Sequence, residues 1–191
     1  MTAITLFDLF ERLSSLMRMW HRQHPLLADL QPIQVSALIY LSRCNRYSDT
    51  PLGVTEYLGL TKGTVSQSLK ALEAKGLIVK TPDARDKRSV HLQLTDTART
   101  LIDSLLPPTL LIDGEARLAE RGPQLTALLA ELLVEVQRCA DVPSFGLCAT
   151  CRFHQHVAGQ PFCGLTQEPL SQSDATLICR EHQAHEACVS A

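Results

Sequence analysis

Apolar residues recur at Leu6, Phe10, Leu13, Met17 and Trp20, spaced four, three, four and three apart, so residues 4–22 are predicted to form an amphipathic helix. A second helix is predicted from Ile33 to Cys44, opened by Pro32. RYSDTPLG (46–53) reads as a loop, and Val54 to Leu58 as a short third helix. Thr61 is placed to cap the next helix, because its hydroxyl can accept an otherwise unpaired backbone N–H. There Val65, Leu69 and Leu72 share one face, while Gly63, Ser66, Gln67, Lys70 and Ala74 share the other. Gly76 ends that helix. LIVK and VHLQL then read as two strands of a hairpin, joined by the charged turn TPDARDKRS.

Helix resumes from Asp96 to Leu106, capped by Thr95 or Asp96, and Pro107-Pro108 must break or kink it. Residues 109–139 read as helix again, with Leu125, Leu128, Leu129, Leu132, Val136 and Cys139 on one stripe that serves either as core or as a surface for another subunit. Beyond Val142 the periodicity fades and large aliphatic residues become few. Such a segment buries little apolar surface by itself, and a metal centre is the simplest thing to hold it.

Charge alters this picture through its distribution. The net charge of the 191 residues is only -2, but the stretch from Leu60 to Thr100 has eight Lys or Arg against four Asp or Glu, a local +4 on an otherwise acidic chain. No apolar run approaches the roughly 18 residues of a membrane span. Asp8 and Glu11 interrupt the N-terminal apolar pattern as a signal peptide would not, so a cytoplasmic location is expected. Seven cysteines in a reducing compartment point to metal or redox chemistry rather than a disulfide framework.

A short helix, a turn, an amphipathic helix and a basic hairpin, in that order, suit a surface that lays one helix in a DNA groove with the hairpin beside it. The second helix offers Thr61, Lys62, Thr64, Ser66 and Gln67 to phosphates and base edges, and Lys70 to a phosphate. Gln67 carries donor and acceptor on one amide, the pattern that suits adenine. Arg85, Lys87 and Arg88 lie at the hairpin tip, where an arginine can enter the minor groove. Asp86 is expected to hold an arginine, since phosphate repels a carboxylate. Each charge taken alone reads as an ordinary solvated side chain; their grouping carries the argument.

The text LTKGTVSQSLKALEAKGLIVK followed by DARDKRSVHLQLT resembles the winged helix-turn-helix domain of the MarR family of bacterial transcription regulators, over residues 33–106. The resemblance lies in the Leu-Thr-x-x-Thr-Val-Ser opening, the Leu-x-x-x-Gly-Leu ending, the Asp-x-Arg-Asp-x-Arg turn and the Leu-Thr that starts the next helix. It implies a mainly α fold with a small β-hairpin wing. It also implies a homodimer, built through flanking helices that correspond to residues 4–22 and 97–139, on a pseudo-palindromic double-stranded operator. Pro107-Pro108 departs from the family's unbroken long helix. The expected organisation is an N-terminal dimerisation helix (1–32), the winged helix-turn-helix domain (33–106), C-terminal dimerisation helices (107–142) and a cysteine-rich tail (143–191).

The tail spaces its cysteines as Cys148-x2-Cys151-x11-Cys163-x15-Cys179. Four thiolates suit an iron–sulfur cluster, [2Fe-2S] or [4Fe-4S], or Zn(II). One close pair with two solitary cysteines suits a cluster better, because a cluster presents separated iron corners. The pieces CATCR, CGL, EPL and CREH are also similar to the tail of a subset of MarR-type regulators. His154, His156, His182 or His185 can replace a ligand, although each reads first as a surface histidine. Cys188 reads as a spare thiol at a frayed end, Cys44 and Cys139 as small hydrophobes, and Trp20 as core.

These readings combine as a non-enzymatic, homodimeric DNA-binding regulator whose operator affinity responds to a cluster on Cys148, Cys151, Cys163 and Cys179, in redox, oxygen or iron sensing. The tail follows the dimerisation helix directly, so its rearrangement is expected to alter the spacing of the two recognition helices. One rival has structural zinc with a small aromatic effector between the helices. Another, of a different class, is a thiol–disulfide oxidoreductase using CATC, which would need a strand before Cys148.

Overall fold

The computed structural model describes residues 4–83, 86 and 89–185. α1 (Leu6–Gln23) starts at a reciprocal cap: Thr5 Oγ1 accepts the Asp8 N–H at 3.3 Å and Asp8 Oδ2 accepts the Thr5 N–H at 2.9 Å. None of its residues is buried, and Leu6, Phe7, Phe10 and Leu13 are exposed. α2 (Pro32–Arg43) is central to the core through Val35, Ala37, Leu38, Tyr40 and Leu41. α3 (Pro51–Leu58) and α4 (Lys62–Ala74) form a helix-turn-helix around Gly59, whose φ of 62° lets the chain reverse.

α3 begins three residues before the position the periodicity indicated. Thr50 caps it by accepting the Gly53 N–H at 3.1 Å, and Gly53 lies inside the helix instead of ending a loop. The reason is close packing. A Cβ at Gly53 would stand 2.3 Å from the Ser48 carbonyl oxygen and 2.8 Å from the Tyr40 hydroxyl, which itself donates to that carbonyl.

β1 (Ile78–Pro82) and β2 (Val90–Leu94) pair antiparallel from Ile78↔Leu94 to Pro82↔Val90. Ile78, Leu92 and Leu94 face the core with Val54, Val65, Leu69 and Leu72. α5 (Asp96–Leu105), capped by Thr95, closes this domain with Ala98, Ile102 and Leu105. Truncating Leu72, fully buried here, to Ala would cost about 2–5 kcal/mol.

Pro107-Pro108 ends α5 as predicted. The continuous helix expected over 109–139 is two helices, α6 (Thr109–Arg117) and α7 (Arg121–Cys139). The turn between them holds Ala119 at φ 51°. Gly122 packs so closely on Glu115 that a Cβ would come within 2.8 Å of its Cγ. Pro123 completes the signal, because proline suits the first turn of a new helix and opposes an unbroken one. The leucine stripe is largely uncovered within this chain: Leu125, Leu128, Leu129 and Val136 are exposed, and Leu132 is partly so.

The tail is more regular than its weak periodicity indicates. β3 (His154–Val157), β4 (Gln160–Cys163) and β5 (Glu168–Pro169) form an antiparallel sheet in that order, followed by α8 (Gln172–Ala175). Ala158 and Gly159 join β3 to β4 with φ of 50° and 78°, the doubly positive pair that a two-residue hairpin turn requires. The tail docks on the winged domain of its own chain: the Asn45 N–H donates to the Ile178 carbonyl at 2.9 Å and the Ile178 N–H to the Arg43 carbonyl at 2.8 Å. No helix among the described residues is long and apolar enough to cross a membrane.

Candidate nucleic-acid interface and metal centre

α4 divides its residues cleanly. Val65, Ser68, Leu69 and Leu72 are buried, while Thr61, Lys62, Gly63, Thr64, Ser66, Gln67 and Lys70 are exposed. Thr61 Oγ1 accepts the Thr64 N–H at 3.3 Å and lies 2.9 Å from Thr64 Oγ1, which orders the helix start that carries these polar side chains. Its other end is tied to β1 by the Glu73–Lys80 ion pair at 2.6 Å. Six of the nine residues expected to meet DNA thus share one exposed surface. The other three, Arg85, Lys87 and Arg88, lie outside the described residues, so the expected arginine partner of Asp86 does too.

The hairpin base is held by a histidine that the sequence pattern did not single out. His91 Nδ1 lies 2.5 Å from Asp49 Oδ1, and His91 Nε2 lies 2.9 Å from Asp83 Oδ2. The two carboxylates push the His91 pKa up. Asp49 itself is also raised: burial disfavours its charge by more than His91 restores it. The Leu92 N–H adds a bond to the Asp49 carbonyl at 2.6 Å. The only sequence signal was an imidazole on a half-buried strand; its partners lie 42 and 8 residues away.

Cys148, Cys151, Cys163 and Cys179 line one cavity of about 200 Å³ with Tyr47, Phe153 and His154. Cys148 and Cys151 bracket a single turn, in which the Cys151 N–H donates to the Cys148 carbonyl at 3.0 Å. Cys163 ends β4, and Cys179 is set by its N–H bond to Gly146 at 2.9 Å. All four are free thiols. Burial pushes Cys148 up to about 12, and the other three sulfurs add to the shift. The four sulfurs thus lie close enough together that charge on the others disfavours charge on Cys148.

Polar groups are already arranged toward two of the sulfurs. The Gln183 N–H donates to Cys151 Sγ at 3.4 Å. The Glu181 backbone N–H and the Asn45 amide favour the Cys179 thiolate, although burial raises that thiol overall. Asn45 Nδ2 is buried without a partner at full hydrogen-bonding geometry, and the sulfur is the acceptor it faces. This donor set fits a thiolate-ligated inorganic group. Among the described residues, no three His, Cys, Asp or Glu side chains converge enough to hold a single ion; the sulfurs ring a cavity instead.

The histidines separate by their contacts. His154 Nδ1 lies 3.9 Å from Cys148 Sγ. His182 is buried, not a surface residue, with Nδ1 2.6 Å from Ser144 Oγ and Nε2 3.0 Å from Thr150 Oγ1, so both nitrogens are occupied. His156 and His185 are exposed. Cys44 belongs to the main core, whereas Cys139 is exposed within this chain, as most of its stripe is. Trp20 packs against the core edge. Cys188 lies outside the described residues.

The tail also grips the helix-turn-helix. The Arg180 N–H donates to Ser48 Oγ at 2.8 Å, and its guanidinium pairs with Glu56 of α3 through Nε (2.5 Å) and Nη2 (3.0 Å). Tyr47 donates to Glu168 at 2.8 Å, and Arg46 donates to the Pro169 carbonyl at 2.7 Å. No local pattern in the sequence signals these contacts, which join residues more than 120 positions apart.

Residues 28–89 match the profile of the MarR family, which ends before the cysteine segment begins. A curated relative, the HTH-type transcriptional repressor NicR of Pseudomonas putida, is 24% identical over 108 residues, covering 54% of this chain and 68% of that protein. Among solved structures, Staphylococcus aureus MepR in complex with DNA is 27% identical with a TM-score of 0.54, covering 70% of this chain and 99% of that one. MepR in its DNA-binding conformation matches at 27% identity and TM-score 0.57, over 70% of this chain and 100% of its own. Streptococcus pneumoniae FabT in complex with DNA shares the fold at 24% identity and TM-score 0.53, over 71% and 92%. With the helix-turn-helix and hairpin wing described above, these matches show a winged-helix fold whose DNA-reading segment is similar to that of the MarR family of regulators.

Proposed function

We propose that this chain is a MarR-type transcription regulator that binds double-stranded DNA as a homodimer, with α4 in the major groove and the wing beside it, and that an iron–sulfur cluster on Cys148, Cys151, Cys163 and Cys179 sets its operator affinity. The observation that carries the DNA reading is the exposed start of α4, where Lys62, Thr64, Ser66 and Gln67 project from a capped helix while Val65 and Leu69 anchor it. MepR, a similar structure, is seen with DNA. The uncovered apolar residues of α1 and α7 support a second copy as their partner.

Four thiols around one cavity, with N–H groups behind Cys151 and Cys179, support the cluster reading. A zinc ion would need all four sulfurs drawn to about 2.3 Å from one point. When bound, such a cluster supplies an inorganic core that responds to oxidants and to iron supply. The chain supplies the thiolates, their hydrogen-bond donors and a partly buried site.

Anaerobic purification tests the reading. Iron and acid-labile sulfide, a visible spectrum and operator binding before and after stripping should show a brown protein whose affinity changes when iron is removed. A colourless protein with stoichiometric zinc, or an affinity indifferent to stripping, overturns the cluster reading. Failure to bind promoter duplexes at low salt in either form overturns the DNA reading.

A further inference from the structure

We propose that Arg180 transmits the state of the cysteine centre to the reading head of its own protomer through its fork with Glu56; this rests on the cluster reading above. Sequence order indicates a different route, from the tail back along α7 to the dimer. The tail's fastenings favour the direct one. Arg180 follows Cys179 in the chain, so a change in how that sulfur is held displaces the Arg180 backbone first. That backbone donates to Ser48, and the side chain grips Glu56 with two nitrogens.

Both receiving points connect to the packed core. Ser48 is fully buried; its carbonyl takes the Tyr40 hydroxyl and abuts Gly53, and its hydroxyl donates to Asn45 at 2.8 Å. Asn45 itself faces Cys179. Glu56 lies on α3, which packs on α4 through the buried core of the helix-turn-helix. The loop 45–50 also holds the wing, through the pairing of Asp49 with His91. One stretch of six residues therefore contacts a cluster ligand, the helix before the recognition helix, and the wing base. By comparison, α7 meets the linker through the Gln137 amide, which donates to the Ser144 carbonyl at 2.9 Å, and through the Val142 N–H, which donates to the Gln137 carbonyl at 3.2 Å.

Arg180 is a positioning residue in this scheme, and uncoupling is its signature. Glu56→Gln keeps size while removing the charge that holds the fork, and Arg180→Lys removes its bidentate geometry. Operator affinity would be measured for loaded and chelator-stripped wild type, E56Q, R180K and the charge-exchanged pair E56R/R180E. Iron and sulfide content and thermal melting would be followed in parallel. Hydrogen exchange of the amides of residues 51–58 would be followed in both forms. Wild type is expected to change affinity by at least about fivefold on stripping. E56Q and R180K are expected to fall within about twofold while keeping iron and melting temperature, and α3 exchange should rise on stripping in wild type only. The exchanged pair should regain part of the response. Full response in E56Q and R180K, with α3 exchange unchanged by stripping, overturns this route alone. A wild type that ignores stripping overturns both the route and the cluster reading.

Discussion

His91 of β2 and Asp49 of the loop before α3 meet at 2.5 Å, and this contact sets the wing against the helix-turn-helix. Its charge makes it sensitive to pH. The two carboxylates beside His91 raise its pKa above 6.5. A group raised on folding contributes stability that is complete below its unfolded pKa and is lost as pH rises through its folded pKa. Wild type should therefore lose stability across the window above pH 6.5, and His91→Gln should flatten that slope and cost about 1 kcal/mol at pH 6. Denaturant titrations at several pH values check this; an unchanged slope in H91Q contradicts it.

Gly53→Ala reports on the packing of α3. In an exposed helix the change would stabilise by about 1 kcal/mol. Here the new methyl meets a backbone carbonyl at 2.3 Å, and that carbonyl is held by Tyr40. A net loss of about 1–3 kcal/mol is expected in chemical denaturation.

Gln67→Ala should lower discrimination between operator and mismatched duplexes by about 1–3 kcal/mol, with little change in non-specific affinity. Lys70→Ala and Arg88→Ala should weaken all duplexes alike and reduce the salt slope by about 1 each. Binding titrations across a salt series distinguish these outcomes.

Metal removal should loosen the tail before the winged domain. Among the described residues, the tail's buried apolar cluster consists of Cys148, Leu170 and Cys179, two of them proposed ligands, whereas nineteen buried residues from Leu27 to Leu105 form the main core. Cys163→Ser or chelation should expose sites between residues 143 and 185 to limited proteolysis and leave 33–106 resistant. Equal protection with and without metal contradicts this.

By itself the sequence determined the winged domain. Val65, Leu69 and Leu72 face inward at helical spacing, Thr61 caps, and the strands flank a turn, because local periodicity and capping act over only a few residues. It also grouped the four cysteines and the exposed start of α4. It misread Gly53 and the course of 109–139, where a glycine or proline has meaning only through what packs against it. It missed the hairpin turn at Ala158-Gly159, which lacks the usual asparagine or aspartate signal. Only the tertiary structure decided that His91 bridges Asp49 and Asp83, that Asn45 backs Cys179, and that Arg180 reaches Glu56. Such contacts join positions up to 134 residues apart, and no periodicity spans that distance; folding brings them together as the tail docks on the loop between α2 and α3.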